Sequence, residues 1–309
     1  MEYEHISQVA VIGTGTIGAS WAALFLARGL RVNAYDPAPG AADRLRRAVA
    51  DHWPTLERIG LASDASADHL RCFEDLEDAL TGVHFVQENG PENEADKRTL
   101  LARIDALLPA DAIIASSTSG LTASAIQSAC AHPARVLVGH PFNPPHLIPL
   151  VEVVGGEHTC EAAVERTLAF YRALGKRPIR LRKEMKGHVA NRLQAALWRE
   201  AMHLVATGAV TVAELDDAVA YGPGLRWAAC GPFLNLHLSG GAGGMQHVLD
   251  HLGAPIEAWW DDLGTPRITP DLAKAVVDGT HQALANRSNA ALEAQRDALI
   301  LDLLRRLPR

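Results

Sequence analysis

The segment VAVIGTGTIG near the beginning of the chain restricts the possible folds more than any other feature of the sequence. An apolar run at Val9–Ile12 leads directly into Gly13, Gly15 and Gly18, which have the spacing G-x-G-x-x-G, and a helical pattern follows. In this spacing the first glycine permits a tight turn, the second lets a pyrophosphate approach the backbone, and the third lets a helix pack closely on the strand. The segment therefore predicts a βαβ unit that binds a dinucleotide.

The residues after the glycines indicate which dinucleotide is bound. Thr16 and Ile17 open the predicted helix, whose free N–H groups and partial positive charge suit the phosphates. Asp36 ends the next predicted strand, where a carboxylate bonds the adenosine ribose and repels a 2′-phosphate, so NAD is favoured over NADP. The alternative for Asp36 is a cap on the turn at Pro37. A solvated helix face, rather than a phosphate pocket, is the interpretation for Arg44, Arg46 and Arg47.

Short apolar runs alternate with helical patterns as far as Leu181. Runs of this kind are typical of parallel strands that are buried on both faces, and repeated βαβ units imply a doubly wound parallel sheet. The predicted strands are Val9–Ile12, Val32–Tyr35, Val83–Val86, Ala112–Ala115, Val136–Val138, Val151–Val154 and Ile179–Leu181, with helices that include Ala19–Arg28 and Lys97–Leu108. The predicted fold class is α/β, with a Rossmann-type NAD-binding domain over residues 1–182.

The second half of the chain has helical periodicity and no strand signal. One apolar stripe comprises Val189, Leu193, Leu197, Ala201 and Leu204, and another comprises Leu292, Leu299, Leu303 and Leu307. These spacings predict amphipathic helices. Two Gly-rich segments, at 222–227 and 239–244, are predicted to be loops. We therefore expect a smaller all-helical domain over residues 183–309.

Composition excludes several classes of function. The net charge of -7 argues against a nucleic-acid surface, and no apolar run approaches the ~20 residues that span a bilayer. The start of the chain shows no signal peptide. The cysteines are scattered without zinc-like spacing, which suggests reduced thiols in a cytoplasmic protein. His247 and His251 have a spacing that suits a metal but lack a third ligand nearby, so no metal site is expected.

Three polar segments each follow a predicted strand, at the edge where open α/β sheets bind ligands. They are ASSTSG (115–120), GHPFNPPHLIPLVEVV (139–154) and KGHVANRL (186–193). Oxidation of an alcohol by NAD needs a base for the hydroxyl proton, and imidazole suits this because its ordinary pKa lies near neutrality. His140 is the predicted base. Glu152 is a suitable carboxylate partner if the intervening loop returns the chain beside itself.

At these residues the chain resembles the L-3-hydroxyacyl-CoA dehydrogenase family, over roughly residues 6–255. The segments H-P-F-N and P-L-V-E-V match that family's motifs. The resemblance implies that His140 is the base, that Glu152 orients it, and that Asn143 lies near the nicotinamide. It also implies catalytic roles for Ser119 and Asn191.

The segment PENEADK completes the family motifs. The resemblance implies that Glu92 and Lys97 of this segment lie near the cofactor ribose.

Other interpretations of these residues stay open. His132 and His146 are rival bases, although His146, in a proline-flanked loop, is expected at the surface or in a pocket wall. Ser119 can be a turn residue and Asn191 a structural amide. Lys186 resembles the catalytic Lys of the 6-phosphogluconate-like β-hydroxyacid dehydrogenases, but that interpretation leaves the His–Glu pair unexplained.

The second half of the chain bears on the substrate. Residues 222–245 resemble the subgroup that contains lambda-crystallin/L-gulonate 3-dehydrogenase and L-carnitine 3-dehydrogenase. The positions where the acyl-CoA enzymes hold coenzyme A correspond to His52 and Ile59, which do not match. A small free L-3-hydroxy acid such as L-carnitine is therefore expected, with L-gulonate and a 3-hydroxyacyl-CoA such as 3-hydroxybutyryl-CoA as alternatives.

Aromatic and basic residues of this half are candidates for substrate contacts. A trimethylammonium group favours aromatic faces, which Trp198, Trp227 and possible companions Tyr221 and Phe233 would supply. Arg226, or Arg192 in its place, can bind a carboxylate. The family resemblance also implies a homodimer formed through the helical domain. A crystallin-like structural protein that binds a dinucleotide is the non-enzymatic alternative.

Overall fold

The computed structural model describes residues 6–307. Within them, eight strands form one sheet. The strands are β1 Gln8–Ile12, β2 Arg31–Tyr35, β3 Leu70–Phe73, β4 Phe85–Glu88, β5 Ile113–Ser116, β6 Val136–Pro141, β7 Leu150–Gly155 and β8 Arg177–Arg180. Their order across the sheet is β3-β2-β1-β4-β5-β6-β7-β8. The order reverses between β1 and β4, which is the switch point where open α/β sheets bind ligands.

The predicted Rossmann-type architecture is confirmed, with two differences in the sheet. Strand β3 was not predicted, because Leu70–Phe73 lies at the sheet edge and its residues are only partly buried. Strand β7 runs antiparallel to β6, whereas every other neighbouring pair is parallel. Both departures have the same origin: apolar runs reveal buried strands but carry no information about direction or about exposed edges.

Helices cover both faces of the sheet. They are α1 Thr16–Ala27, α2 Ala41–Ile59, α3 Leu76–Leu80, α4 Glu94–Leu107, α5 Ala123–Gln127 and α6 Glu161–Ala173. Alternate residues of β1 enter different cores: Val9 and Val11 pack with α1 and α6, while Ala10 and Ile12 pack with α4 and α5. The two cores hold the strands rigidly, so the strand ends provide a fixed edge on which side chains can be placed.

The described residues after the sheet are helical, as predicted. The helices are α7 Ala190–Ala206, α8 Val212–Ala220, α9 Pro223–Ser239, α10 Gly244–Asp262, α11 Pro270–Leu284 and α12 Asn289–Arg306. The prediction of a loop at 222–227 is wrong, because Pro223 begins α9 and proline is favoured at a helix start. Helix α9 is interrupted at Gly231, whose φ is 73°.

The chain divides into two compact units, Met1–Arg192 and Leu193–Arg309. The first contains the whole sheet and the second contains α8 to α12. The boundary predicted from the sequence at 182/183 stays a prediction.

Candidate active site

Three glycines shape the turn between β1 and α1, each in a different way. Gly13 has a φ of +84°, and a Cβ atom there would lie 2.8 Å from the backbone carbonyl of Asn89. A Cβ atom on Gly18 would lie 1.9 Å from the carbonyl oxygen of Gly13. Around Gly15, by contrast, a Cβ atom would have no protein neighbour within 4 Å. The turn is tightly packed at Gly13 and Gly18 and open at Gly15, as close approach of a ligand to the backbone requires.

The first turn of α1 offers backbone donors to a ligand. The helix begins at Thr16, and no side chain caps its N-terminus. Thr16 is exposed and Ile17 is half-buried. Uncapped N–H groups and the partial positive charge of a helix N-terminus suit a phosphate.

Asp36 follows β2 and is held by the glycine turn. Its Oδ2 accepts hydrogen bonds from the N–H of Thr14 at 2.8 Å and the Thr14 hydroxyl at 3.0 Å, and its Oδ1 accepts from the N–H of Ala38 at 2.9 Å. Partial burial alone would raise the pKa of Asp36, but these hydrogen bonds outweigh it and hold the pKa below its ordinary value. Asp36 is therefore ionised at neutral pH. A cavity of about 480 Å³ lies beside it, and its lining includes Leu45, Arg46, Cys72 and Phe73.

Two exposed arginines in the first half of α2 already have hydrogen-bond partners. Arg44 donates to the carbonyl of Pro39 at 2.7 Å, and Arg46 donates to the carboxylate of Asp43 at 3.1 Å. An ionised Asp36 beside a cavity lined by both apolar and polar side chains, with the open backbone at Gly15, fits the adenosine and pyrophosphate of NAD. It does not favour a 2′-phosphate, which Asp36 would repel.

Lys97 lies at the carboxyl end of β4 in a fully buried ion pair. Its Nζ donates to Glu88 Oε1 at 2.9 Å and to the carbonyl of Gly90 at 2.9 Å, and the side chains of Lys97 and Glu88 are 2% and 0% exposed. Glu88 also accepts hydrogen bonds from the Ser116 hydroxyl and, at 2.6 Å, from the N–H of Gly90. This network ties the ends of β4 and β5 together and fixes Lys97.

Glu92 caps the loop that follows β5. Its Oε1 accepts from the Thr118 hydroxyl at 2.6 Å and from the N–H groups of Ser119 and Gly120 at 2.9 and 3.1 Å. Burial alone would raise the pKa of Glu92, but these hydrogen bonds and the charge of Lys97 together lower it. The second carboxylate oxygen lies 3.8 Å from Lys97 Nζ. Glu92 thus brings the loop that carries Ser119 beside the buried Lys97.

His140 and Glu152 are direct cross-strand partners in the antiparallel pair β6–β7. The Nδ1 atom of His140 lies 2.9 Å from Glu152 Oε2. The glutamate is 0% exposed and the histidine 6%. The predicted pairing of these two residues required the chain to return beside itself, and the β6–β7 hairpin provides that return.

The other oxygen of Glu152 binds the segment that precedes α7. Oε1 accepts from the N–H groups of Val189 at 2.8 Å and Ala190 at 3.0 Å. Burial alone would raise the pKa of Glu152, but hydrogen bonds from His140, Ala190 and Val189 outweigh it and lower the pKa. An ionised carboxylate only accepts, so Nδ1 of His140 carries the proton and Nε2 is left with a lone pair. Such an imidazole can act as a general base.

Asn191 and His188 connect the same segment to the loop after β5. The Asn191 side-chain amide donates to the carbonyl of Ser119 at 3.2 Å, and Nε2 of His188 lies 3.0 Å from the carbonyl of Thr118. The Ser119 side chain is exposed, with its hydroxyl 3.3 Å from Glu92 Oε1. Ser119, Asn191, His140 and Glu152 are thus brought into one hydrogen-bonded region.

Three other candidate residues of the first unit are Asn143, His132 and His146. Asn143 is exposed in the loop between β6 and β7. His132 is exposed and lies 3.6 Å from Asp105. His146 was expected at the surface or in a pocket wall, and the surface position is excluded because its ring is buried and bonds the Ser20 hydroxyl at 2.8 Å.

The candidate substrate residues lie in the second unit. Trp198 on α7 is 52% exposed and Trp227 on α9 is 42% exposed. Arg226, the neighbour of Trp227, is exposed as well. Their roles stay predictions.

Glu88 and Gln87 are buried residues of the site that were not predicted from the sequence. Glu88 had a usable signal, because an acidic residue ends an otherwise apolar strand and needs a partner inside the protein. Gln87 is also buried: its side chain donates to the Ser117 hydroxyl at 2.8 Å and accepts from the Tyr171 hydroxyl at 2.6 Å. It had no signal of its own, since its partners come from distant positions.

The described part of the chain holds neither a candidate metal cluster nor a membrane-spanning helix. Between Ile6 and Leu307, no cluster of three or more potential metal-binding His, Cys, Asp or Glu side chains occurs. Over the same range, no helix has the length and apolar character needed to cross a membrane.

Two family models of known proteins together match nearly the whole chain. The family model of the 3-hydroxyacyl-CoA dehydrogenase NAD binding domain matches residues 8–185, and that of the 3-hydroxyacyl-CoA dehydrogenase C-terminal domain matches residues 187–289. L-carnitine dehydrogenase of Streptomyces griseus is 53% identical over 99% of this chain and 92% of its own length. L-carnitine dehydrogenase of Streptomyces coelicolor is 51% identical over 98% and 95%.

A solved structure is similar over the whole length. It is that of 5-formyl-3-hydroxy-2-methylpyridine 4-carboxylic acid 5-dehydrogenase, described as an NAD+-dependent dismutase. Its TM-score is 0.83 at 32% identity, with 97% of this chain and 98% of that chain covered.

Proposed function

The chain belongs to the 3-hydroxyacyl-CoA dehydrogenase family and is an NAD-dependent oxidoreductase that oxidises the CH–OH group of an L-3-hydroxy acid, and we propose that its substrate is L-carnitine. The product is then the corresponding 3-oxo acid. The relatives that carry this substrate in their names cover nearly the whole chain, including both family domains. L-Gulonate and 3-hydroxybutyryl-CoA are the competing substrates that a test must include.

The observation that carries the proposed chemistry is the pair of His140 and Glu152. Their 2.9 Å contact supports Nε2 of His140 as the base that takes the hydroxyl proton. Glu152 remains ionised, holds the ring in this tautomer and stabilises the imidazolium that forms. NAD, when bound, accepts the hydride from C3 of the substrate.

Ser119 and Asn191 are proposed to position the substrate oxygen. Ser119 has an exposed hydroxyl, and the hydrogen bond from Asn191 to its carbonyl supports a fixed loop. A fixed loop favours catalysis because the reacting atoms are held in place before the reaction begins.

The cofactor residues are proposed on the geometry of the first unit. Gly13, Gly15 and Gly18, with the N–H groups of Thr16 and Ile17, would hold the pyrophosphate, and Asp36 would bind the adenosine ribose. Near the nicotinamide ribose, the proposed residues are Glu92, Lys97 and Asn143.

The second unit supplies the proposed contacts to the substrate tail. Trp198 and Trp227 have exposed rings, which suits contact with a trimethylammonium group at about 0.5–2 kcal/mol for each cation–π pair. Arg226 would bind the carboxylate. We also propose that residues 183–309 form a domain for substrate binding and homodimer formation, and that the protein acts in the cytoplasm.

The test is a panel of acids assayed with NAD by the absorbance of the reduced nicotinamide. The panel contains L-carnitine, L-gulonate, L-3-hydroxybutyrate and 3-hydroxybutyryl-CoA. The highest kcat/KM is expected for L-carnitine. A higher value for any other member would overturn the proposed substrate, and no turnover with all four would overturn the proposed function.

The base is tested by His140→Ala, which should lower kcat by about 10²-fold or more. The matched control is His158→Ala, because His158 is exposed and lies outside the site. Lys186→Met should leave most of the turnover intact. A Lys186→Met variant that loses as much activity as His140→Ala would favour a lysine base instead.

A further inference from the structure

His188 is a buried histidine that the proposed chemistry does not use. It is 1% exposed, and its ring centroid lies 5.0 Å from that of His140. Its Nε2 is 3.0 Å from the carbonyl oxygen of Thr118, the residue before Ser119. The ring thus lies between the base and the loop that carries Ser119.

The contacts of the ring define its protonation. A carbonyl oxygen only accepts, so Nε2 of His188 carries a proton and donates it to Thr118. Nδ1 is buried with no hydrogen-bond partner within the described residues. Burial lowers the pKa of His188 and His140 adds to that, against the opposing effects of the Thr118 carbonyl and of Glu152 and Glu92. A neutral ring that donates from Nε2 satisfies the Thr118 carbonyl and puts no buried charge beside His140, while its Nδ1 lone pair stays without a partner among the described residues.

The backbone of His188 has an unusual conformation. Its φ is 48°, and Gly187 before it has a φ of 74°. The left-handed region is unfavourable for a residue with a Cβ atom, and glycine would adopt it more easily. In such turns the N–H groups of successive residues point towards one acceptor. Here the N–H groups of Val189 and Ala190 both donate to Glu152 Oε1. The turn itself needs only glycine, so the imidazole side chain must have another use.

We propose that His188 is a positioning residue, which acts by donating a hydrogen bond from Nε2 to Thr118. This bond ties the Ser119 loop to the segment that holds Glu152, so that Ser119 and His140 keep a constant separation. The proposal rests on the function proposed above, because it assumes that Ser119 and His140 act on the same substrate oxygen. His188 exchanges no proton with the substrate in this role.

The donor is tested by two substitutions with opposite properties. His188→Phe keeps a ring of similar size and removes the donor, whereas His188→Gln removes the ring and keeps a donor at similar reach. We expect His188→Phe to lower kcat by about 10- to 100-fold, with a smaller change in KM. This is the effect that a displacement of the Ser119 loop by about 1 Å would have. His188→Gln should recover most of that loss. Equal losses in the two variants would overturn the proposal.

A double mutant tests whether the effect passes through Ser119. If His188 acts by holding this loop, its substitution should matter little once the Ser119 hydroxyl is absent. The kcat of Ser119→Ala with His188→Phe should then equal that of Ser119→Ala within about threefold, because residues that act as a unit are not additive. Losses that multiply would overturn the proposal and indicate a structural role.

The wild-type protein provides a measurement that does not depend on the folding of a variant. Nitrogen-15 shifts of the His188 ring in the protein with NAD should show the neutral form protonated at Nε2 between pH 7 and 9, because the pKa of this ring lies below its ordinary value. An imidazolium, or the form protonated at Nδ1, would overturn the proposal. If the wild type oxidises none of the four acids, the proposed function fails, and this measurement still decides the state of His188.

Discussion

At the scale of single residues, the charge on Glu152 decides which nitrogen of His140 is free. Glu152 uses one oxygen for the N–H groups of Val189 and Ala190 and the other for His140. An acceptor-only group in that position places the ring proton on Nδ1. The base is therefore defined by a second residue that need not touch the substrate.

The substitution Glu152→Gln tests this dependence. The two backbone N–H groups require an oxygen, so the glutamine NH₂ group would face His140 and donate to Nδ1. The ring proton would then move to Nε2, and the base would be lost. We expect kcat to fall by about 10²- to 10⁴-fold. The change is measured by steady-state kinetics together with thermal unfolding.

The control for this variant is Glu157→Gln, since Glu157 is exposed. A kcat of Glu152→Gln within tenfold of the wild type, in a folded protein, would contradict the proposed tautomer.

At the scale of elements, three connections place the chemistry: the turn from β1 to α1, the hairpin β6–β7 and the segment before α7. The turn is packed at Gly18 and open at Gly15. The loop between β6 and β7 is anchored by Lys176, whose Nζ donates to the carbonyl of Pro145 at 2.6 Å and also to that of Ile148. The site depends on these connections as much as on the side chains that they carry.

The two glycines should separate stability from cofactor binding. Gly18→Ala places a methyl group against the Gly13 carbonyl, so we expect a loss of about 1–3 kcal/mol in the free energy of unfolding. Gly15 has a φ of -64°, which alanine tolerates, and open space around it. Gly15→Ala should change stability by less than about 0.5 kcal/mol but weaken NAD binding at least tenfold by blocking the close approach.

The measurements are denaturant unfolding and calorimetric titration with NAD. A Gly15→Ala variant that binds NAD as tightly as the wild type would contradict the placement of the pyrophosphate.

Lys176 should make stability depend on pH. Burial, with a smaller effect of Arg28, lowers the pKa of Lys176 to about 7 from an ordinary value of 10.5. Between these values the unfolded chain binds a proton that the folded chain does not, so this lysine makes stability rise with pH over that window. Below about pH 7 both states carry the proton, and the penalty of burying the charge is fully present.

The comparison is with Lys176→Met, which removes the titrating group. As the pH rises from 7 to 9.5, the difference in unfolding free energy should shift in favour of the wild type. Lys183→Met is the control, because Lys183 is exposed and should show no such trend. A constant difference for Lys176→Met would mean that the buried amine keeps its ordinary pKa.

At the scale of the whole molecule, the helical unit exposes many large apolar side chains. Phe233 is 78% exposed, and Trp259 and Trp260 are each 64% exposed. Few residues of α8 to α12 are buried. Exposed apolar surface of this kind marks an interaction site, which supports a second copy of the chain as the partner.

The proposed homodimer predicts a mass in solution of twice the 33.1 kDa chain. Phe233→Asp should shift the protein towards monomer at micromolar concentration, because it places a charge within the proposed interface. Leu107→Asp is the control, since Leu107 is an exposed apolar residue of the first unit. Sedimentation measures both. A wild type that sediments as a monomer would remove the basis of the proposal.

The fold class could be predicted from the amino-acid sequence alone, and most of the candidate site residues could be proposed from it. Buried parallel strands leave continuous apolar runs, and a dinucleotide turn needs glycines at fixed spacing, so both are visible in one dimension. The motifs around Ser119, His140 and Asn191 were recognisable for a similar reason, because each comes at or after the carboxyl end of an apolar run that predicts a strand.

How these motifs combine could not be predicted, because it depends on contacts between distant parts of the chain. The reversal of β7, the edge strand β3 and the start of α9 at Pro223 depend on pairing and packing with distant residues. The same holds for the buried partners Glu88 and His188, whose hydrogen bonds join positions 28 and 70 residues apart. A local pattern records the periodicity and exposure of one element, whereas the partner of a buried polar group is chosen by the arrangement of the whole chain.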